Sequence, residues 1–279
     1  MKILGGNEMN RRMISIFLIA VMLLLVSCNS TTNNNAVGVE NEINNTKNEE
    51  KVVLESEEAV EVEETEEVEE VVEKEDLDNP KLPATLTYIG RATMRIEFAD
   101  DTVMYIDPYA GTDSDYEVPA DLVLVTHQHG DHNQVQKVTL KEEGQVIICP
   151  TDIVEGDTIE INGMEITAVA AYNKNHAREK CCGFIIKVGE MVLYHSGDTS
   201  YIPEMEELAD YNIDFAFVTM DGVWNMGPVE AKLVAETINA ELIMPIHTDG
   251  DMEWNLSNAE AFDVENKIIV LPGETLEIK

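Results

Sequence analysis

The chain carries 279 residues, with 55 Asp and Glu against 18 Lys and Arg, a formal net charge of −37. Residues 29–80 (18 acids, 3 bases) and residues 81–279 (36 acids, 12 bases) are each strongly acidic. That speaks against DNA or long RNA as a partner, because those need a basic footprint.

The chain opens on a targeting pattern. Arg11 and Arg12 precede an apolar run of 14 residues from Met13 to Val26, short for a membrane span of about 20 and suited to a signal-peptide core. The run ends in Leu25-Val26-Ser27-Cys28, which resembles the bacterial lipobox. Residues 1–28 are therefore expected to be a lipoprotein signal peptide, cleaved before Cys28, with lipid on that cysteine holding the protein on the outer side of a bacterial membrane. Residues 29–80 turn from Asn/Thr-rich to Glu/Val-rich and contain no aromatic residue. Dense like charge opposes a packed core, so an extended acidic tether is expected.

The remaining 199 residues, 81–279, can bury one sizeable core. The segment "TLTYIGRATMRIEFADDTVMYID" reads as a strand meander, and "DLVLVT" and "QVIICP" as buried strands. "DTIEINGMEITAVAA" reads as a hairpin around Asn162-Gly163, and "GFIIKVGEMVLYHSGD" as a second one near Gly189. A short helix is expected at "PEMEELADY", a strand at "IDFAFVTM", and a helix at "GPVEAKLVAETINA" with Pro228 in its first turn. "ELIMPIHT" reads as a strand, "SNAEAFDVEN" as a short helix, and "KIIVL" and "ETLEIK" as closing strands. Meanders followed by alternating strands and helices suit two sheets covered by helices.

Half of the six histidines fall in "VTHQHGDHN". His127 and His129 are two apart at a strand end and point to one side. Gly130 is expected to permit a tight turn that brings Asp131 and His132 alongside. Three more candidates follow strands far along the chain: His176 in "AYNKNHAREK", Asp198 in "YHSGDTS" and His247 in "MPIHTDG". Five imidazoles and two carboxylates suit zinc or a similar divalent ion, in number enough for two ions.

His127-Gln128-His129-Gly130-Asp131-His132, followed in order by His176, Gly197-Asp198-Thr199 and His247, resembles the metallo-β-lactamase-fold superfamily over residues 84–279. Ile106-Asp107-Pro108, Tyr172-Asn173 before His176, and Tyr194-His195-Ser196-Gly197-Asp198-Thr199 are similar to the bacterial branch of L-ascorbate-6-phosphate lactonase-like hydrolases. The resemblance implies an α/β fold, an αββα four-layer sandwich. It implies a first metal on His127, His129 and His176, a second on Asp131, His132 and His247, and Asp198 bridging them. It further implies two divalent ions, zinc or manganese, a shared water as nucleophile, and Asp131 steering a proton. The expected reaction is hydrolysis of an ester, lactone or phosphodiester of a small molecule. A phosphodiesterase or nuclease on the same fold is the alternative, as is a non-catalytic, metal-dependent binding lipoprotein.

Other residues carry two readings each. Asp107 is either a carboxylate supporting a ligand histidine or a strand-end turn residue. Arg178 is either an anchor for an anionic group or a solvated arginine. Trp224 either lines the pocket or caps the core. His195 reads as a packing histidine, Cys149 as a buried thiol, and Cys181 and Cys182 as free thiols. After His247 the chain has "TDGDM" where relatives often carry an aromatic residue.

Overall fold

The computed structural model describes residues 82–250 and 254–279; the signal peptide and tether expected over residues 1–80 lie outside the described residues. Among the described residues no helix is long and apolar enough to cross a membrane. β1 (Ala84–Gly90), β2 (Thr93–Phe98) and β3 (Val103–Ile106) form the expected antiparallel meander. β4 (Ala120–Val125) and β5 (Leu140–Ile148) then add in parallel, and β12 (Thr275–Ile278) closes the other side in the order β12-β1-β2-β3-β4-β5.

The second sheet holds β6 (Thr158–Ile161), β7 (Met164–Ala170), β8 (Cys182–Val188), β9 (Met191–His195), β10 (Phe215–Thr219) and β11 (Leu242–Ile246) in the order β11-β10-β9-β8-β7-β6. β6 and β7 pair with Ile161 opposite Met164, leaving Asn162 (φ 51°) and Gly163 (φ 75°) as a two-residue turn. Both turn residues need positive φ, which Asn and Gly tolerate, and this turn type matches the strand twist.

Alternation along the strands makes the core. Leu122 and Leu124 of β4 face inward with Met94 and Ile96 of β2, against Phe184 and Ile186 of β8 and Phe217 of β10. Each buried side chain of this kind contributes roughly 1.5–3 kcal/mol. Val123 and Val125 point the other way, onto Tyr105, Tyr116 and Val138. The layer outside the first sheet is built there from 3₁₀ turns at Asp113–Tyr116 and Val135–Lys137. The second sheet is covered by α1 (Pro228–Ile238), which buries Ala231, Val234, Ala235 and Ile238, a helical i, i+3, i+4, i+7 face. Pro228 starts it and Asn239, in the left-handed region, ends it. The result is a two-sheet α/β sandwich.

Three details differ from the sequence reading. Pro203–Tyr211 is a run of 3₁₀ turns that buries Met205 and Leu208, and their three-residue spacing suits that tighter winding. α2 is confined to Leu256–Ala261, capped where the Asn255 side chain accepts from Asn258 N. "KIIVL" does not form a strand; it meets β11 only at one bridge, Ile243 with Lys267. Ile243 N donates to Asn266 O and its carbonyl accepts from Ile268 N. The next donor on that edge of β11 is residue 245, a proline with no N–H, so the ladder stops.

Candidate metal centre

All the candidate residues sit at one edge of the sandwich because of strand direction. β3 and β4 run parallel, as do β9, β10 and β11. Asp107 follows β3, His127 to His132 follow β4, His176 follows β7, Asp198 follows β9, and His247 follows β11. The two sheets are tied at this edge: Cys182 N donates to Thr126 O at 3.1 Å, and His127 bridges Cys181. Three strand-end residues there, Arg91 (φ 54°), Asp107 (φ 46°) and His247 (φ 47°), take left-handed backbone, a cost of order 1 kcal/mol or more each that tertiary contacts must offset.

Two glycines behave differently. Gly197 has φ +59°, and a Cβ there would lie 2.6 Å from Cys182 O, so only glycine turns the chain from β9 to Asp198. Gly130 is less constrained. The turn exists, with His132 N and Asn133 N both donating to His129 O, but nothing lies within 4 Å of a Cβ at Gly130 and its φ is outside the left-handed region. The turn does not require glycine.

The structure brings all seven candidates together in three overlapping groups: His127, His129 and His176; Asp131, His132 and His247; and His127, His132 and Asp198. Within each group the ligand-type atoms lie within 4.8 Å of one another. Asp198 Oδ2 is 3.3 Å from His176 Nε2, 3.5 Å from His132 Nε2 and 3.9 Å from His247 Nε2, so it sits between the first two groups.

The far nitrogens of His127, His132 and His176 are held in place, whereas His247 Nδ1 makes no hydrogen bond. Thr126 Oγ1 donates to Asp107 Oδ2 (2.7 Å), so its contact with His127 Nδ1 (3.0 Å) is received from the ring, leaving Nε2 as the lone pair facing the centre. Asp107 Oδ2 also lies 2.7 Å from His132 Nδ1, and Thr126 N donates to Asp107 Oδ1. Asp107 is thus a supporting carboxylate, the first of its two readings. His176 Nδ1 is 3.0 Å from Asn173 Oδ1.

Three of the inward-facing atoms lack partners. His132 Nε2, His247 Nε2 and Asp198 Oδ1 are buried without a hydrogen bond, a desolvation cost of about 1–3 kcal/mol for each such group. A divalent cation among them would satisfy all three, so the donor set fits a metal. Burial pushes the His127 imidazole down to about 3, leaving it neutral and ready to coordinate. Burial opposes the charged form of His132 as well, but the Asp198 and Asp107 carboxylates lift its pKa well above the ordinary value. A cation held at Nε2 would therefore take the place of a proton there. Burial disfavours the Asp198 carboxylate, yet His132 and His247 hold it well below the usual range.

A cavity of about 400 Å³ opens onto the centre, lined by Arg91, His129, Asp131, Asn175, His176, Asp198, Trp224 and His247. Trp224 lines it while half exposed at its mouth. Arg178 does not line it. Its guanidinium pairs with Glu155 and Glu204 and lies 5.2 Å from the Tyr172 ring centre, on the outside. His195 is fully buried, accepts from Gly197 N at 3.2 Å, and takes no part. Cys149, Cys181 and Cys182 are buried free thiols. Thr248 is buried and accepts from Asn255 N.

Arg91 is the main residue missing from the sequence reading. Its Nε and Nη2 lie 2.8 and 2.7 Å from Asp131 Oδ2, and its Nη1 lies 3.0 Å from Asp249 Oδ2. Its carbonyl accepts from His247 N at 2.8 Å. Burial opposes an ionised Asp131, but His247, His132 and Arg91 hold the carboxylate far below its usual range. The only sequence signal is a charged residue after Gly90 at a strand end.

A two-sheet sandwich with His and Asp side chains gathered at the carboxyl ends of its strands defines a class, the metal-dependent hydrolases built on this scaffold. The chain belongs to the beta-lactamase superfamily: the superfamily domain matches residues 85–247, a span that contains all seven side chains. It is 28% identical over 228 residues to a UPF0173 metal-dependent hydrolase of Methanopyrus kandleri, covering 69% of this chain and 99% of the relative. It is 29% identical over 224 residues to a UPF0173 metal-dependent hydrolase of Methanoculleus marisnigri, covering 69% and 96%. Among solved structures, it matches a Parabacteroides distasonis protein assigned as a metal-dependent hydrolase, at 26% identity and TM-score 0.59, over 67% of this chain and 91% of that one. Igni18, a metallo hydrolase of Ignicoccus hospitalis, shares the fold at 22% identity and TM-score 0.59, over 71% and 99%. The chain is a metal-dependent hydrolase of this superfamily with candidate His/Asp metal-binding groups.

Proposed function

We propose that residues 81–279 form a hydrolase domain that holds two divalent ions, zinc or manganese. His127, His129 and His176 would bind the first, Asp131, His132 and His247 the second, and Asp198 both. The observation that carries this reading is the set of buried, unpartnered atoms on His132, His247 and Asp198 at the meeting point of the two groups. When bound, the ions supply Lewis acidity and water activation near neutral pH.

The chain's own residues do the rest. Asp131, kept ionised by Arg91, accepts the hydrogen bond of the attacking water at the cavity wall and steers its proton. His132 and His176 are held with Nε2 inward by Asp107 and Asn173. The cavity volume suits a small molecule, and Trp224 offers a flat apolar face at the mouth. An ester, lactone or phosphodiester of a small molecule is the proposed substrate, as in the L-ascorbate-6-phosphate lactonase-like branch that the Tyr172-Asn173 and Tyr194-to-Thr199 motifs resemble. No long nucleic acid is expected on so acidic a domain. The Leu25-to-Cys28 motif supports an extracytoplasmic protein, lipid-anchored to a bacterial membrane through Cys28.

Metal analysis joined to a screen of esters, lactones and small phosphodiesters tests the reading. Two ions per chain and a turnover that disappears in His129→Ala are expected. Two bound ions with no turnover of any of the three classes would overturn the substrate assignment.

A further inference from the structure

The two groups are joined by a second, longer path of polar contacts through the loop that carries Trp224. Asn173 Oδ1 accepts from His176 N (3.0 Å) and Asn175 N (2.7 Å), so this atom is the oxygen and the His176 Nδ1 beside it bears the proton. Asn173 Nδ2 then donates to Asn225 Oδ1 (3.0 Å) and Trp224 O (3.1 Å). Asn225 Nδ2 donates to Asp221 Oδ2 (2.8 Å). Asp221 Oδ1 accepts from Val223 N, Trp224 N and Asn225 N, which fixes the carboxylate, and its Oδ2 faces His247 Nδ1 at 3.5 Å without a hydrogen bond. Every amide orientation on this path is set by its neighbours. Asn258 adds a brace, donating to both Asp221 O and Thr248 O.

We propose that Asn225 is the positioning residue that couples the two metal positions and ties them to the Trp224 mouth. Asn225 is buried, and its side-chain hydrogen bonds go to Asn173 and Asp221, not to any of the seven. On one side it orients His176 through Asn173; on the other it braces the carboxylate facing His247. Trp224 O is held on the same path by Asn173 and by Asn175 Nδ2 at 2.7 Å. The mouth is therefore tied by hydrogen bonds to the seating of His176, and it meets His247 through the facing Asp221 carboxylate. The inference rests on the reading of the seven side chains as ligands.

The test uses Asn225→Ala in the full chain, with cobalt(II) and zinc(II) alone as probes. The chain has two tryptophans, so a Trp254→Phe background leaves Trp224 as the reporter. We expect Asn225→Ala to lose affinity for both ions, each by about 10-fold or more. Its cobalt ligand-field bands should shift, and Trp224 emission should cease to respond to metal. A merely structural lesion would lower the melting temperature without changing the cobalt bands. If Asn225→Ala does not fold, Asn225→Ser, whose hydroxyl is too short to reach both partners, takes its place. A folded variant that keeps native affinity, or loses only one ion, overturns the proposal. A parent chain that takes up fewer than two ions overturns the ligand reading beneath it.

Discussion

The two candidate groups are of equal size and differ in what stands behind them. His127 and His176 are backed by neutral groups, Thr126 Oγ1 and Asn173 Oδ1. His132, Asp131 and His247 are backed by charge: Asp107 on His132, Arg91 on Asp131, and Asp221 and Asp249 at 3.5 and 3.6 Å from His247 Nδ1. The first group offers imidazoles alone. The second offers a carboxylate already shared with a guanidinium and an imidazole that would give up a proton to take the ion. The two groups therefore present different charge to a cation, and Asp198 lies beside both, 3.3 Å from His176 Nε2 and 3.5 Å from His132 Nε2.

The largest effect should come from removing that common element. Asp198→Ala is expected to lose both ions in metal analysis and to bring turnover to background; retention of either ion would show that the groups are independent. Next, His129→Ala and His247→Ala should each leave one ion, and metal analysis of the pair would separate the two positions. Asp107→Asn sharpens the contrast further. Its amide would face the donating His132 Nδ1 and Thr126 Oγ1, so affinity at the second position should fall by about 10–100-fold while the first changes less, as read by calorimetric titration. Gly197→Ala should cost at least about 1–2 kcal/mol in denaturant unfolding, because a side chain there is strained in φ and meets Cys182 O. Arg178→Ala, on the outer surface, should leave metal content and turnover unchanged; a loss would move the site boundary outward.

That these seven side chains gather was legible, because few residue types can hold a divalent ion and four of them crowd into His127–His132. The strand assignments at β1 to β4 and the Asn162-Gly163 turn were legible from alternation and turn chemistry. What lay beyond reach depends on neighbours distant in the chain. Arg178 is two residues from His176, yet the 3₁₀ turn at Arg178–Lys180 directs it to Glu155 and Glu204. Arg91, Asp221, Asn225 and Asp249 are common polar residues whose roles arise only when several strand ends meet. The apolar run "KIIVL" has the composition of a strand, and nothing within it announces that the adjoining edge presents Pro245 instead of a donor.

The main-chain bond from Cys182 N to Thr126 O lies where the two sheets meet, and donors from both sheets surround it. An ion held by Asp131, His132 and His247 would span segments 116 residues apart, Asp131 to His247, and would act as a non-covalent crosslink between the two sheets. Binding at 100 times its dissociation constant adds about 2.7 kcal/mol to the folded state. Withdrawal of such an ion by a chelator is expected to lower the stability of the folded state by the same amount.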